Sequence, residues 1–314
     1  MDSSKVEIAQ EFPGIIRVYK DGHVERLVET DFVPASNDTI TGITSKDITI
    51  LSKSNISISA RIYLPTKLAN PNQKLPLLLY FHGGAFCVSS PFTSKYYNYV
   101  NTLVFEANVV AISVNYRKAP EHPIPAAYED SWAALQWVES HCNNGGPEAW
   151  LNEHVDFERV FLARESAGAN VAYNLAMKVG ETQAQAQFGL KMGILGAQNP
   201  SRKAVVDWLW PFVCPAQPDN DDPRANPVAE GAPSLAQLGC RRVLVCVAEK
   251  DILRDRGWLF YEALSRSGWM GVVEIEETEG EDHGFHLYDL KCEKARDLIK
   301  HLADFFNRDM PPLI

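Results

Sequence analysis

Hydrophobic and polar positions follow two different patterns along the chain. Near the N-terminus they alternate: residues 56–62 are Ile-Ser-Ile-Ser-Ala-Arg-Ile, which predicts a half-buried strand that pairs with 45–51. Further upstream, the apolar segments 15–19 and 24–27 flank Asp21-Gly22, a dipeptide typical of hairpin turns. We therefore expect two antiparallel hairpins early in the chain, the first of them extending the edge of a larger sheet.

Beyond residue 75 the pattern changes to short apolar runs separated by longer amphipathic segments. Strands that alternate with helices in this way imply one α/β domain over 1–314, with a mostly parallel central sheet and helices on both faces. The predicted strands cover 76–82, 109–115, 159–163, 191–195, 241–248 and 272–276, and the predicted helices 94–106, 126–142, 167–179, 255–267 and 290–307.

Composition and charge narrow the possible functions. The 314 residues are 46% hydrophobic and 22% charged, which is typical of a globular enzyme domain. A formal net charge of −10 provides no basic footprint for nucleic acid or an anionic membrane, so we expect neither partner. No apolar run approaches the roughly 20 residues of a membrane span, and the first residues lack the apolar core of a secretory signal. The expected partner is a small-molecule substrate, and nothing in the sequence indicates an oligomeric state.

The cysteines and histidines give no sign of a metal or cofactor. The six cysteines are scattered without a C-x-x-C pair. Buried thiols in a reducing cytoplasm are the simplest interpretation. No His or Cys spacing is typical of a metal site, and no cofactor is predicted.

A candidate nucleophile lies in Arg164-Glu165-Ser166-Ala167-Gly168, where the predicted strand 159–163 runs directly into a helix. A serine on such a sharp turn is a nucleophile elbow, usually G-x-S-x-G. The turn exposes the hydroxyl of Ser166 and leaves the amide of Ala167 free to bind an oxyanion. Here Arg164 replaces the first glycine.

A second motif, His82-Gly83-Gly84-Ala85, follows the apolar run 77–81. Paired glycines let backbone amides approach a ligand closely, as in the oxyanion loop that accompanies the elbow. We predict that the amides of Gly83, Gly84 and Ala167 form the oxyanion hole. Ala85 stands where a third glycine is common, and His82 is expected to be structural.

The candidate acid and base follow two later strands. Asp251 comes just after the run 243–248, and His283 lies in a polar loop after 272–276. The chain order Ser166, Asp251, His283 is the order of an α/β-hydrolase triad. In it, the histidine accepts the serine proton and the aspartate orients the histidine. The alternatives that remain open are Asp255 or Glu249 as the acid and His286 as the base.

Together these motifs resemble the plant carboxylesterases of the hormone-sensitive-lipase-like group. That group includes 2-hydroxyisoflavanone dehydratases, certain alkaloid cyclases and gibberellin receptors. The matching segments are 16–22, 80–86, 115–130, 248–251 and 280–286. The resemblance implies the α/β-hydrolase fold, the triad and oxyanion loop named above, and a lid contributed by residues 1–45.

The same resemblance implies a serine carboxylesterase that acts on small lipophilic esters through an acyl-serine. The alternatives are a lyase or cyclase that uses the same site, and a non-catalytic receptor. Receptors of the group lack the catalytic histidine, so His283 argues against that alternative. Glu165 resembles the residue at that place in the dehydratases.

Two departures from the family pattern stand out. Arg164 must either point to solvent or force the elbow open, because small residues there let strand and helix pack closely. After Gly196 the chain passes directly to Ala197-Gln198-Asn199, and a segment that would normally form one wall of the pocket is missing. We expect its loss to widen or disorder the pocket.

Overall fold

Two sheets organise this computed structural model, which describes residues 7–53, 56–66, 73–143, 145–182, 190–195 and 203–309. In chain order the strands of the described residues are β1 (Ile8–Phe12), β2 (Ile16–Tyr19), β3 (Val24–Arg26), β4 (Asn37–Asp38), β5 (Ile43–Lys53), β6 (Ile56–Pro65), β7 (Leu75–Phe81), β8 (Val110–Asn115), β9 (Val155–Arg164), β10 (Leu190–Leu195), β11 (Arg242–Ala248) and β12 (Val272–Thr278).

The central sheet has nine strands in the order β12-β11-β10-β9-β7-β8-β6-β5-β4. Six neighbouring strands run parallel to one another: β12, β11, β10, β9, β7 and β8. The other three pair antiparallel, β6 with β8, β5 with β6 and β4 with β5. Every residue of β7 and β11 is buried, as expected for parallel strands that are covered on both faces. The predicted fold class, a mostly parallel α/β sheet, is confirmed.

Helices cover both faces of this sheet. They are α1 (Ser94–Ala107), α2 (Ala126–Glu139), α3 (Ala149–His154), α4 (Ala167–Glu181), α5 (Lys203–Val213), α6 (Arg254–Arg266), α7 (Phe285–Tyr288) and α8 (Glu293–Asn307). Apolar residues of α1 and α8 form one core against the sheet, and those of α2, α4 and α6 belong to the core on the opposite face. Within the described residues, no helix is long and apolar enough to cross a membrane.

The first hairpin does not extend the central sheet, contrary to our expectation. β1, β2 and β3 form a separate three-stranded sheet, while β4 pairs with β5 and takes the edge of the central sheet. The small sheet instead packs its apolar side against the main core. Phe12, for example, stacks on Trp208 of α5 with ring centroids 5.4 Å apart. The segment expected to be shortened, residues 196–202, lies outside the described residues.

Candidate active site

Ser166 lies on a tight turn between β9 and α4. Its backbone adopts φ 50° and ψ −124°, a left-handed conformation that costs a non-glycine residue on the order of 1–3 kcal/mol. The turn is closed by hydrogen bonds from the Gly168 amide to the Glu165 carbonyl, 2.9 Å, and from the Ala169 amide to the Ser166 carbonyl, 2.8 Å. The local geometry is therefore that of the predicted elbow.

The close approach of helix and strand occurs at Gly168 rather than at Arg164. A Cβ on Gly168 would overlap the carbonyl oxygen of Phe81, the last residue of β7. Arg164 neither points to solvent nor opens the elbow: its side chain is buried, with 3% of the residue exposed. Nη1 donates to the Leu162 carbonyl at 3.2 Å, and neither Nε nor Nη2 has a hydrogen-bond partner among the described residues.

His283 connects Ser166 to Asp251. Its Nε2 lies 3.0 Å from the Ser166 hydroxyl, and its Nδ1 lies 2.9 Å from both carboxylate oxygens of Asp251. Burial alone would lower the pKa of His283, but the hydrogen bond and the charge of Asp251 outweigh burial and raise that pKa above its ordinary value. The structure thus brings the three predicted residues into one hydrogen-bonded chain at the carboxyl ends of β9, β11 and β12.

The loops that hold Asp251 and His283 are bonded to each other. The Lys250 amide donates to the Glu281 carbonyl at 2.8 Å, and the Glu249 amide to the Thr278 carbonyl at 3.1 Å. The Glu249 carboxylate in turn accepts from the Gly280 amide at 2.6 Å. The parallel pairing of β11 with β12 places these loops side by side.

The alternative acids and base lie elsewhere. The Glu249 carboxylate accepts a hydrogen bond from the Gly280 amide, and the side chain of Asp255 is 59% exposed and forms an ion pair with Arg254. His286 is buried among aromatic rings, and burial lowers its pKa to about 3, so it stays neutral. None of the three is hydrogen-bonded to the Ser166 hydroxyl, which bonds to His283 instead.

The prediction that the amide of Gly83 is an oxyanion donor was wrong. The amide of Gly83 is already used: it donates to the Glu165 carboxylate at 2.7 Å and to the Tyr96 hydroxyl at 3.0 Å. Gly83 does not line the cavity at Ser166, whereas Gly84, Ala85 and Ala167 do. Among the described residues, the amides of these three have no acceptor, so Ala85 replaces Gly83 as a candidate donor.

Glu165 and Tyr96 are site residues whose role the sequence did not reveal. Both are buried, and the Tyr96 hydroxyl donates to the same Glu165 oxygen that accepts from Gly83. Burial and then the charge of Glu165 raise the pKa of Tyr96 well above its ordinary value, so the phenol stays protonated. Together they hold the start of the oxyanion loop against the elbow. In the sequence, the position of Glu165 directly before the serine was the only indication that it belongs to the site.

A largely apolar cavity of about 380 Å³ opens at Ser166. Its walls come from the small N-terminal sheet, from α4, α5 and α6, and from the oxyanion loop; examples are Phe12, Ile15, Tyr173, Trp210 and Phe260. Glu29 and Lys95, which form an ion pair, add polar groups to the rim. Such a cavity fits a small lipophilic molecule.

A serine, histidine and aspartate joined in this way at the carboxyl edge of a parallel sheet are typical of α/β-hydrolases. The comparisons agree: a family profile described as "alpha/beta hydrolase fold" matches residues 78–287. The chain therefore belongs to the α/β-hydrolase family.

Its relatives include plant proteins. A protein called probable carboxylesterase 2 from Arabidopsis thaliana is 44% identical, with 98% of this chain and 99% of the relative covered. A 2-hydroxyisoflavanone dehydratase from Glycyrrhiza echinata is 46% identical, with 95% and 96% covered. Among solved structures, a Pyrobaculum calidifontis esterase is 27% identical with a TM-score of 0.68, and 83% of this chain and 84% of that chain are covered. The resemblance predicted from the motifs is confirmed.

Proposed function

We propose that this protein is a serine carboxylic-ester hydrolase for small lipophilic esters. The observation that supports this most directly is the chain of hydrogen bonds from Asp251 through His283 to Ser166, which ends at a largely apolar cavity. Ser166 is the nucleophile, His283 the general base and then acid, and Asp251 the residue that orients His283. No cofactor takes part in this scheme.

The proposed reaction follows from the geometry. The Ser166 hydroxyl gives its proton to Nε2 of His283, and its oxygen bonds to the ester carbonyl carbon. The carbonyl oxygen, now an anion, accepts hydrogen bonds from the amides of Gly84, Ala85 and Ala167. His283 then protonates the departing alcohol as its bond to carbon breaks. Water, deprotonated by the same histidine, hydrolyses the acyl-serine and restores the hydroxyl.

Two variants test this proposal. Ser166→Ala should abolish turnover of p-nitrophenyl butyrate and the mass adduct formed with a fluorophosphonate probe, because both require the Ser166 oxygen. His283→Ala should also abolish turnover. Asp255→Asn is the control, since its exposed carboxylate touches no catalytic group, and it should keep the wild-type rate within about twofold. Ester turnover that survives Ser166→Ala would refute the covalent route.

A lyase remains the second candidate, because a relative named 2-hydroxyisoflavanone dehydratase is 46% identical over nearly the whole chain. In an elimination, His283 would remove a proton next to a carbonyl and the amides would hold the enolate oxygen. As the enolate re-forms the carbonyl, the bond from carbon to the hydroxyl would break, and the departing hydroxyl would take the proton back from His283 and leave as water. Ser166 would then form no covalent bond. Dehydration of a 2-hydroxyisoflavanone that persists in Ser166→Ala and disappears in His283→Ala would establish this chemistry.

The N-terminal part of the chain is proposed to act as a lid. Phe12 and Ile15 line the cavity from the small sheet, Val28 lines it from the segment that follows β3, and Glu29 forms an ion pair with Lys95. A cytoplasmic location is also part of the proposal; the six cysteines are all free thiols, four of them buried, which is consistent with a reducing compartment.

A further inference from the structure

Arg26, at the end of β3, reaches from the small N-terminal sheet to the oxyanion loop. Its Nε donates to the Cys87 carbonyl at 2.7 Å, and its Nη2 donates to the Ala119 carbonyl at 3.2 Å. Nη1 and Nη2 also form a two-pronged contact with the Glu121 carboxylate, at 2.8 and 2.6 Å. One guanidinium therefore joins three segments that are distant in sequence.

The loop that Arg26 holds is conformationally costly. Gly84, Ala85 and Phe86 all have left-handed backbones, with φ of 97°, 54° and 59°. Two of these are not glycines, and such residues persist only where their surroundings fix them. Inside the loop, the amides of Cys87 and Val88 both donate to the Gly84 carbonyl, at 2.8 and 2.9 Å.

The loop is also fixed from outside, on the side where Arg26 lies. The Ala119 amide donates to the Phe86 carbonyl at 2.9 Å, which joins the loop to the segment that follows β8. Arg26 bonds to the next carbonyl of the loop, at Cys87, and to the carbonyl of Ala119 itself. Its planar fork thus spans the same junction and limits how far the two segments can separate.

We propose that Arg26 is a positioning residue for the oxyanion hole, acting through the loop of Gly84 and Ala85. This inference rests on the proposed ester hydrolysis. Since Arg26 belongs to the small sheet, packing of that sheet against the main core also aligns the oxyanion donors. Arg26 touches neither the substrate nor Ser166; it sets where the amides of Gly84 and Ala85 point.

The sheet offers a matched control. Arg17 on β2 also pairs with glutamates, Glu11 at 2.7 Å and Glu25 at 3.4 Å. These contacts stay within the small sheet and do not reach the oxyanion loop. Arg17→Met therefore weakens the sheet itself, whereas Arg26→Met removes its connection to the loop.

The experiment measures kcat and KM of purified full-length protein on p-nitrophenyl butyrate, with thermal unfolding recorded for each variant. Misplaced oxyanion donors act on the transition state, so Arg26→Met should lower kcat by about 10- to 100-fold and leave KM within about twofold. Arg26→Lys keeps a cation but not the fork and should recover only part of the rate. Arg17→Met should keep kcat within about twofold.

Other outcomes would overturn the inference. If KM rises in Arg26→Met while kcat is unchanged, Arg26 only fastens the sheet over the cavity. An equal fall of kcat in Arg17→Met would mean that general loosening of the sheet is the cause. A wild-type protein with no Ser166-dependent turnover would refute the proposed function itself, whereas active wild type with an unaffected Arg26→Met refutes the positioning role alone.

Discussion

Replacing Arg164 with methionine should stabilise the protein. Arg164 is a charged group enclosed in the core, and within the part of the chain that the structure describes its side chain forms a single hydrogen bond, to a carbonyl of its own strand. Among the described residues, neither Nε nor Nη2 has a hydrogen-bond partner, so no carboxylate is bonded to these two atoms. Methionine matches the arginine stem but lacks the guanidinium end, so it keeps the apolar contacts of the stem and has no charge to desolvate.

The size of the effect follows from the titration of the guanidinium. Burial lowers the pKa of Arg164 to about 9, roughly three to four powers of ten below that of a free arginine. At about 1.36 kcal/mol for each power of ten, the protonated form costs the folded state on the order of 5 kcal/mol. Replacing buried ionic groups by apolar residues typically recovers about 1–4 kcal/mol. We expect a gain in this range.

The change of stability with pH distinguishes the loss of a buried charge from a change in packing. The folded protein holds this proton less tightly than the unfolded chain, so raising the pH above about 9 stabilises the wild type. Below that pH the penalty is present in full. The advantage of Arg164→Met should therefore be constant near neutral pH and shrink as the pH rises through about 9.

Urea unfolding of both proteins at several pH values is the assay. Arg159→Met is the control, because Arg159 lies on the same strand but is partly exposed and paired with Asp156 at 2.7 Å; it should gain nothing. Equal or lower stability of Arg164→Met, or an advantage that grows above about pH 9, would show that the guanidinium is not an uncompensated charge.

Two further predictions concern the site. His283 must be neutral to act as a base, and Asp251 raises its pKa, so activity should fall with decreasing pH already at a pH above the pKa of a free imidazole. In Asp251→Asn the residual activity should fall at a lower pH, because this upward shift of the pKa is lost. A pH–rate profile whose acidic limb does not move in Asp251→Asn would contradict this prediction. Glu165→Leu leaves the buried Tyr96 hydroxyl without its acceptor and removes one of the two acceptors of the Gly83 amide, so it should cost roughly 1–3 kcal/mol of unfolding free energy. Glu165→Gln keeps an oxygen there and should cost less. Equal losses in the two Glu165 variants, measured by urea unfolding, would rule out this hydrogen-bonding role.

The sequence located the catalytic candidates because parallel strands impose a simple geometry. Ser166 and Asp251 follow the buried ends of β9 and β11, and His283 follows β12, a partly exposed strand that pairs parallel with β11. Parallel strands of an α/β chain end at one edge of the sheet. Their grouping needs no knowledge of the intervening loops. The boundaries of the fully buried strands β7 and β11 were predicted to within about one residue, since a fully buried strand is a continuous apolar segment. The predicted start of β9, at residue 159, was wrong, because this strand begins at Val155 with residues that are only partly buried.

Other features depend on tertiary contacts that no local pattern contains. The amide of Gly83 is withdrawn from the oxyanion hole by Glu165, a residue 82 positions later. Arg164 was expected to face solvent or to open the elbow, but the last five residues of β9 are all buried, since helices cover both faces of the sheet. The first hairpin was wrongly predicted to extend the central sheet, because alternation of apolar and polar residues predicts a strand but not the strand with which it pairs.

The hydrogen bonds between the Asp251 loop and the His283 loop have a consequence for how this catalyst can change over evolution. They hold the acid and the base together without any contribution from the elbow, so the pair forms one module and the nucleophile another. Loss of the serine would leave an oriented, basic imidazole beside an apolar cavity and amides that can bind an enolate oxygen. A single substitution at Ser166 would therefore remove the nucleophile and leave Asp251, His283 and the hydrogen bonds between their loops in place.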